Sequence, residues 1–521
     1  MKLFLIFFLI LTATKIFAQH KNILISTANT PNEPSIMIDP ANTNRIVAAT
    51  NINNFYYSSD AGETWESGIL SSSAFGVWGD PVIAVDTTGA FYFLHLSNPP
   101  SGTWIDRIVS QKSIDGGKTW NDGTAFGKDG SKAQDKQWAA VDRNTNSMYV
   151  TWTQFDEYGS SHSKHKSKIR FTRSTDGGET WSEPVAINEI DGNCIDDDET
   201  VEGAVPTVGP NGEIYVSWAG PAGLVFDKSL DGGETWLEND IFIDEMPDGW
   251  AYDIPGIMRA NGMPITVCDL SGGPNHGNIY VNWSDQRNGT NDTDVWFSKS
   301  TDAGETWSKP ARVNDDPAGK QQFFTWMDID QTNGILYFVF YDRRNYDDLQ
   351  TDVYMAKSDD GGETFVNFKI SESPFIPNAG IFFGDYTNIS AHNNVVRPIW
   401  TRLHNGALSV WTALIDVDNI TAIQNDNNEI PQKNDLVSNY PNPFIDKTYL
   451  SFKLHKNAQI SLKIYNVLGE EVASVIDNRN YGMGKYIESF SPAKLSLSTG
   501  TYYYILKKDG EIFKKKMLYI K

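Results

Sequence analysis

The 521-residue chain sets 66 acidic against 43 basic residues, a net charge of −23, with 40% hydrophobic and 12% aromatic content. The apolar fraction suffices for a sizeable packed core and the length exceeds one ordinary domain. The acidity argues against nucleic acid as a partner, because phosphate recognition needs a basic face.

The chain opens "MKLFLIFFLILTATKIFAQ", in which Lys2, an apolar run from Leu3 to Ala13 and the small Ala18 predict a cleaved signal peptide over residues 1–18. That run is too short to span a bilayer, where about 20 residues are needed, and no other segment is long and apolar enough. Two cysteines, Cys194 and Cys268, are compatible with one disulfide or with two free thiols, and their spacing fits no metal motif.

From Ser58 onward an eight-residue pattern recurs: "SSDAGETW", then "SIDGGKTW" from Ser113, "STDGGETW" from Ser174, "SLDGGETW" from Ser229, "STDAGETW" from Ser300 and "SDDGGETF" from Ser358. Its logic is that of a self-satisfied turn. The Asp carboxylate accepts from turn N–H groups, Gly supplies positive φ, Thr ties the ends and Trp plugs the space between neighbouring sheets. Successive box aspartates lie 55 to 71 residues apart, which marks a repeat architecture. Around each box run short alternating β-rich segments, four per unit, as in "WAAVD", "SMYVTWTQ", "KIRFTRS" and "SEPVAI". Four-stranded sheets repeated radially are propeller blades. After the sixth box, "GDYTNISA", "VVRPIWTRL" and "ALSVWTALI" give three strands, and "KNILIST" near residue 22 gives a fourth. The expected fold is all-β, a seven-bladed propeller over residues 19–416 closed by strands from both ends.

The boxes resemble the Asp-boxes, or BNR repeats, of sialidases and other secreted propeller proteins, over roughly residues 22 to 416. That resemblance implies a structural role for the boxes, in the turn between third and fourth strands and away from the ligand face. Residues 417–436, polar and without period, read as a linker. Residues 437–521, with "SNYPNPF", "SLKIYNVLGEEV" and "GTYYYILKKDG", alternate like a small β-sandwich. They closely resemble the C-terminal sorting domain of the Bacteroidetes type IX secretion system, which implies that machinery as a partner and a secreted or surface-attached location.

Function is expected on the face opposite the boxes. There "WSDQRNG", "FYDRRNY" and "WTRLHNG" set Arg287, Arg343, Arg344 and Arg402 around one face, suited to a carboxylate or sulfate; the alternative is that each pairs with its own Asp, such as Asp285 or Asp342. Inter-blade loops add Trp78 with Asp80, Asp135 with Lys136, Trp250 with Tyr252 and Asp253, and Asp385 with Tyr386. Such aromatic and charged mixtures suit sugars. The third-blade loop contributes Tyr158, His162 and His165 without a third metal ligand. The run Asp196 to Glu199 offers oxygen ligands for a structural Ca²⁺, or is a solvated turn; no cofactor or metal is otherwise required.

Three functions follow. The architecture, though no alignable motif, is similar to the seven-bladed ulvan lyases. This implies β-elimination on acidic, uronate-containing and sulfated algal glycans, by a lyase or an oligosaccharide dehydratase. The expected catalytic set is His95, Tyr341, Arg343, Arg402 and His404, with Arg287, Arg344, Trp78, Trp250, Tyr158 and Tyr386 binding substrate. The second function is a non-catalytic propeller capturing glycan or protein. The third is sialidase-like hydrolysis, although the family's Arg-Ile-Pro signature is here Arg45-Ile46-Val47.

Overall fold

The computed structural model describes residues 20–420 except 248, and 437–520 except 441, 443, 446, 455, 468, 483, 496, 509 and 510. The signal peptide expected at 1–18 and residues 421–436 of the expected linker lie outside these. The chain divides into two compact units, Met1–Ile423 and Gln424–Lys521.

The first unit contains seven four-stranded antiparallel sheets. Their innermost strands are Ser35–Ile38, Gly79–Val85, Ala133–Val141, Glu202–Val208, Ile265–Cys268, Gln322–Asp330 and Asn388–His392. Each innermost strand contacts that of the next sheet, and Asn388–His392 contacts Ser35–Ile38, so the ring closes as a β-propeller. Six sheets are consecutive in the chain. The seventh takes three strands from residues 388–414 and its outermost strand, Lys21–Ser26, from the other end, with Lys21 opposite Leu414. Both faces of the inner strands are covered by neighbouring sheets, which explains their nearly continuous apolar runs. Cys194 and Cys268 are buried and unpaired.

Each Asp-box follows the third strand of its sheet and has the geometry its residue types dictate. In the third sheet Ser174 Oγ donates to Asp176 Oδ1 at 2.8 Å and accepts from Gly178 N at 2.9 Å. The same Oδ1 accepts from Thr180 N at 2.9 Å, while Thr180 Oγ1 donates to Oδ2 at 2.5 Å. Bonds from Thr and Ser hold the carboxyls of Asp176 and Asp302 down at about 2. The box also grips the preceding sheet. Lys299 Nζ donates to Gly361 O at 3.0 Å and to Glu363 at 2.6 Å in the next sheet's box. Lys228 does the same with Ala303 O and Glu305, and Arg173 with Gly232 O and Glu234. At the second glycine position the backbone lies on a ring of the sheet before: a Cβ at Gly304 would stand 2.3 Å from Phe226, and one at Gly362 2.3 Å from Phe297. The box aromatics pack on the same rings, Trp307 at 5.1 Å from Phe226 and Phe365 at 5.5 Å from Phe297.

The second unit holds a three-stranded and a four-stranded antiparallel sheet around a core that includes Leu450, Phe452, Ile460, Leu462, Tyr504 and Met517. No helix among the described residues is long and apolar enough to cross a membrane.

Gly304→Ala combines a positive φ of 85° with the clash on Phe226, whereas Gly319→Ala has a φ of 92° and no atom within 4 Å. The first is expected to cost about 2 to 4 kcal/mol of stability and the second about 1 kcal/mol, read from urea unfolding of the two variants.

Candidate functional site

In an antiparallel sheet the third strand runs with the first, so the boxes lie at the end where the innermost strands finish. Where those strands begin, at the opposite mouth of the ring, the backbone turns left-handed at equivalent places: Glu33 (φ 50°), Asp80 (49°), Lys136 (51°) and Phe324 (51°), with Gly203 and Gly384 in the same region. Strand register breaks at these points, between Gly79 and Val82, Asp135 and Trp138, Glu202 and Val205, and Phe323 and Trp326. Such bulges re-aim side chains, and each non-glycine left-handed residue costs on the order of 1 kcal/mol.

The bulges gather charge at the mouth. Lys136 Nζ lies 2.7 Å from Asp385 Oδ2, 3.0 Å from Asp80 Oδ2 and 3.9 Å from Glu33 Oε1. Arg259 binds Asp385 through both carboxylate oxygens, with Nε to Oδ1 at 2.7 Å. Its Nη1 lies 3.4 Å from Asp196 Oδ2, which accepts from Tyr158 OH at 2.7 Å. Trp250 Nε1 donates to the other oxygen of Asp196 at 3.3 Å. Asn51 braces the group, donating to Glu33 Oε2 and accepting from Asp80 N at 2.7 Å. A cavity of about 70 Å³ is bounded by Lys136, Asp196, Trp250, Arg259, Asn261 and Asp385. Beneath it Trp138 and Trp326 lie with ring centres 4.2 Å apart and Tyr386 5.3 Å from Trp138. Towards the rim Trp78, Trp104 and Tyr158 meet edge to face at 5.8 and 6.1 Å, and Trp78 and Trp104 are 38% and 42% exposed.

The carboxyls divide by environment. Burial opposes ionisation of Asp385, but Lys136 and Arg259 outweigh it and hold the group well below the carboxylate range. Burial, reinforced by Asp80, drives Glu33 well above it. Burial with Asp196 and Asp135 does the same to Glu202, and burial lifts Asp135 to about 7. Burial works against Lys136, yet the surrounding carboxylates raise its pKa well above the usual value. The mouth therefore holds ionised and neutral carboxyls within one hydrogen-bonded group, the combination that acid–base chemistry needs.

Of the residues expected from sequence, Tyr158 and Trp250 meet at Asp196, Tyr386 lies in the aromatic layer, and Trp78 is on the rim. The others stand apart. His95 is wholly buried, with Nδ1 2.8 Å from Leu96 O and Nε2 3.0 Å from Gln111, and burial lowers its pKa to about 4. Tyr341 is buried and donates to Thr401 O at 2.6 Å. Each of the four arginines has protein partners of its own. Arg287 pairs with Asp285 and Asp244, and Arg344 with Asp342 and Asp315. Arg343 donates to Pro255 O and Thr351 Oγ1, and Arg402 to Ser373 O and Pro374 O. His404 lies against Trp411. Among the described residues no group of three or more His, Cys, Asp or Glu is placed to hold a metal, and Asp196 of the acidic run is engaged by Tyr158, Trp250 and Arg259.

Glu33, Asn51, Glu202 and Arg259 were not anticipated. A shared signal does exist: a charged residue stands one to three positions ahead of an inner apolar run in "NEPSIMI", "GDPVIAV", "DKQWAAV", "EGAVPTV" and "GDYTNIS".

Residues 438–521 match the family model of the secretion system C-terminal sorting domain, and residues 56–67 that of the BNR/Asp-box repeat. The chain thus carries an Asp-box repeat and a sorting domain. Its sorting domain directs it through type IX secretion to the cell surface or outside. No curated protein matches the chain by sequence. Among solved structures it is similar to a Hadza microbial sialidase, Hz136, at 13% identity and TM-score 0.42, covering 71% of this chain and 73% of that one. A protein of unknown function from Dyadobacter fermentans gives 13%, 0.41, 75% and 96%, and the NanB sialidase of Streptococcus pneumoniae 10%, 0.43, 72% and 84%. Similarity at this level carries nothing about the chemistry of the exported protein.

Lys136→Met leaves Asp385, Asp80 and Glu33 without their common cation and is expected to cost about 3 to 5 kcal/mol. The loss should be larger at pH 8 than at pH 5, because protonation relieves uncompensated carboxylates. Asp135, with a folded pKa of about 7 above its ordinary value, favours the folded state in acid, and that contribution fades as pH rises from about 4 to 7. Asp135→Asn is expected to flatten the decline of melting temperature over this interval.

Proposed function

We propose that the protein is a secreted carbohydrate-active enzyme whose substrate lies over the Lys136–Asp385–Arg259 group. The observation that carries this is the left-handed backbone at Glu33, Asp80 and Lys136, which turns three charged side chains to one point at a standing cost in stability; strain of this kind concentrates at functional sites. Trp78 and Trp104 supply the apolar faces that a sugar ring covers, and the charged group supplies partners for its hydroxyls.

For an acidic glycan the same mouth accommodates β-elimination. Arg259, 44% exposed along its side chain, faces the uronate carboxylate and offsets its charge. Asp196 takes the C5 proton, Tyr158 gives its proton to the leaving oxygen as the C4–O bond breaks, and Asp196 then returns a proton to Tyr158 across their 2.7 Å contact. The leaving oxygen belongs to the next sugar in a lyase and to water in a dehydratase.

Incubation of the exported protein with uronate oligosaccharides is expected to produce the ultraviolet absorbance of an unsaturated uronate, with product mass separating chain cleavage from loss of water. Tyr158→Phe and Arg259→Ala should each lower kcat/KM by about 10²-fold or more. No absorbance across the panel would end the elimination reading. Loss of turnover in Arg402→Ala with retention in Arg259→Ala would move the site outward to the second strands. Binding without turnover would make the mouth a glycan-capture surface, a role the exposed Trp78–Trp104 pair also supports.

A further inference from the structure

The innermost strands enclose a second space on the opposite side of the Trp138–Trp326 layer. It is an axial channel of about 210 Å³, with Pro40, Arg143, Gln331 and His392 at its box-side end. Apolar side chains along it include Ile36, Val82, Val205, Ile265, Met327 and Ile389, interspersed with the polar Thr207, Thr266 and Asn388, and its inner end is the pair of tryptophans.

The polar groups at the outer end are committed, with two exceptions. Asp328 accepts from Ala391 N at 2.7 Å and Ile329 N at 2.8 Å. Gln331 donates to Cys268 O and accepts from Leu270 N. Asp330, just outside, accepts from Thr332, Asn393 and Asn394. The exceptions are His392, whose Nδ1 is buried without a partner, and Arg143. The Arg143 guanidinium has no hydrogen bond and no ion pair among the described residues, although Asp328 and Asp330 act on it from a distance. A planar, doubly donating cation at the mouth of a channel whose inner end is two tryptophans is complementary to a planar monoanion with an apolar body. The two nearby aspartates disfavour a dianion such as phosphate.

We propose that this channel binds a small carboxylate with an unbranched apolar tail, its head on Arg143 and its tail reaching towards Trp138 and Trp326. With a methylene taken as about the size of a water, ~30 Å³, the space corresponds to roughly six to eight carbon atoms. The site lies on the face opposite the proposed catalytic mouth and does not depend on that assignment.

Isothermal titration of the full chain with sodium octanoate tests this, with octanol as the head-group comparison. Octanoate is expected to bind and to raise the melting temperature, octanol to bind more weakly, and Arg143→Met to weaken octanoate by about tenfold or more while leaving octanol unchanged. Ala391→Phe, which fills the channel, is expected to abolish both. Because Arg143 is exposed, its substitution keeps the test decisive even if Ala391→Phe fails to fold. Absence of octanoate binding, equal binding to Arg143→Met, or octanol matching octanoate would each overturn the inference.

Discussion

A single sheet of this ring cannot bury its own two faces, so everything depends on how each sheet seats against the next. The Asp-box is the device that fixes that seating. Its internal bonds, Ser to Asp to Thr, make a rigid turn; in four of the six boxes its glycine lies on an aromatic ring of the sheet before, while a Lys or Arg of that sheet reaches across to the box carbonyl. Apolar burial supplies most of the cohesion, whereas the cation bridges, exposed at their glutamate ends, mainly fix the angle between sheets. Repetition of one angle brings the innermost strands to a common axis, and both the charged mouth and the axial channel are products of that convergence.

At the mouth, the innermost strands begin with bulges where straight strands would have been cheaper. Burying Glu33, Asp80, Asp135, Lys136, Glu202 and Asp385 side by side is also expensive, because desolvation of charges is repaid only by close pairing. The apolar burial of the surrounding ring offsets this cost. The Trp138–Trp326 layer then separates two spaces on one axis, a densely charged one above and a longer one below lined by apolar and polar side chains alike.

The fold was legible because its signals are local. Each box is a turn whose residue types state their own hydrogen bonds, and the alternating runs around it state their own pairing. The site was only partly legible, because it is made by convergence. Asp80, Asp135, Lys136 and Asp385 stood out beside aromatics, but nothing local says that residues 80, 136 and 385 share one point. Arg287 and Arg344 show the converse. "DQRNG" and "DRRNY" occupy equivalent strand ends, yet Asp285 and Asp342 capture Arg287 and Arg344 two residues away, before any ligand position is reached. His95 looked available at a strand end, whereas in the sheet it is enclosed and bonded to Leu96 and Gln111.

The strand Lys21–Ser26, paired with residues 410–414 in the seventh sheet, ties the ring's closure to the order in which the chain becomes available. A chain that emerges from its first residues onward must hold this strand open until nearly four hundred later residues have appeared. Six sheets can form as they arrive from neighbouring segments, but the last is the most distant strand pairing in the unit and the slowest kind to find. Until then the seventh sheet lacks its outermost strand, and the edge of residues 407–414 stays unpaired.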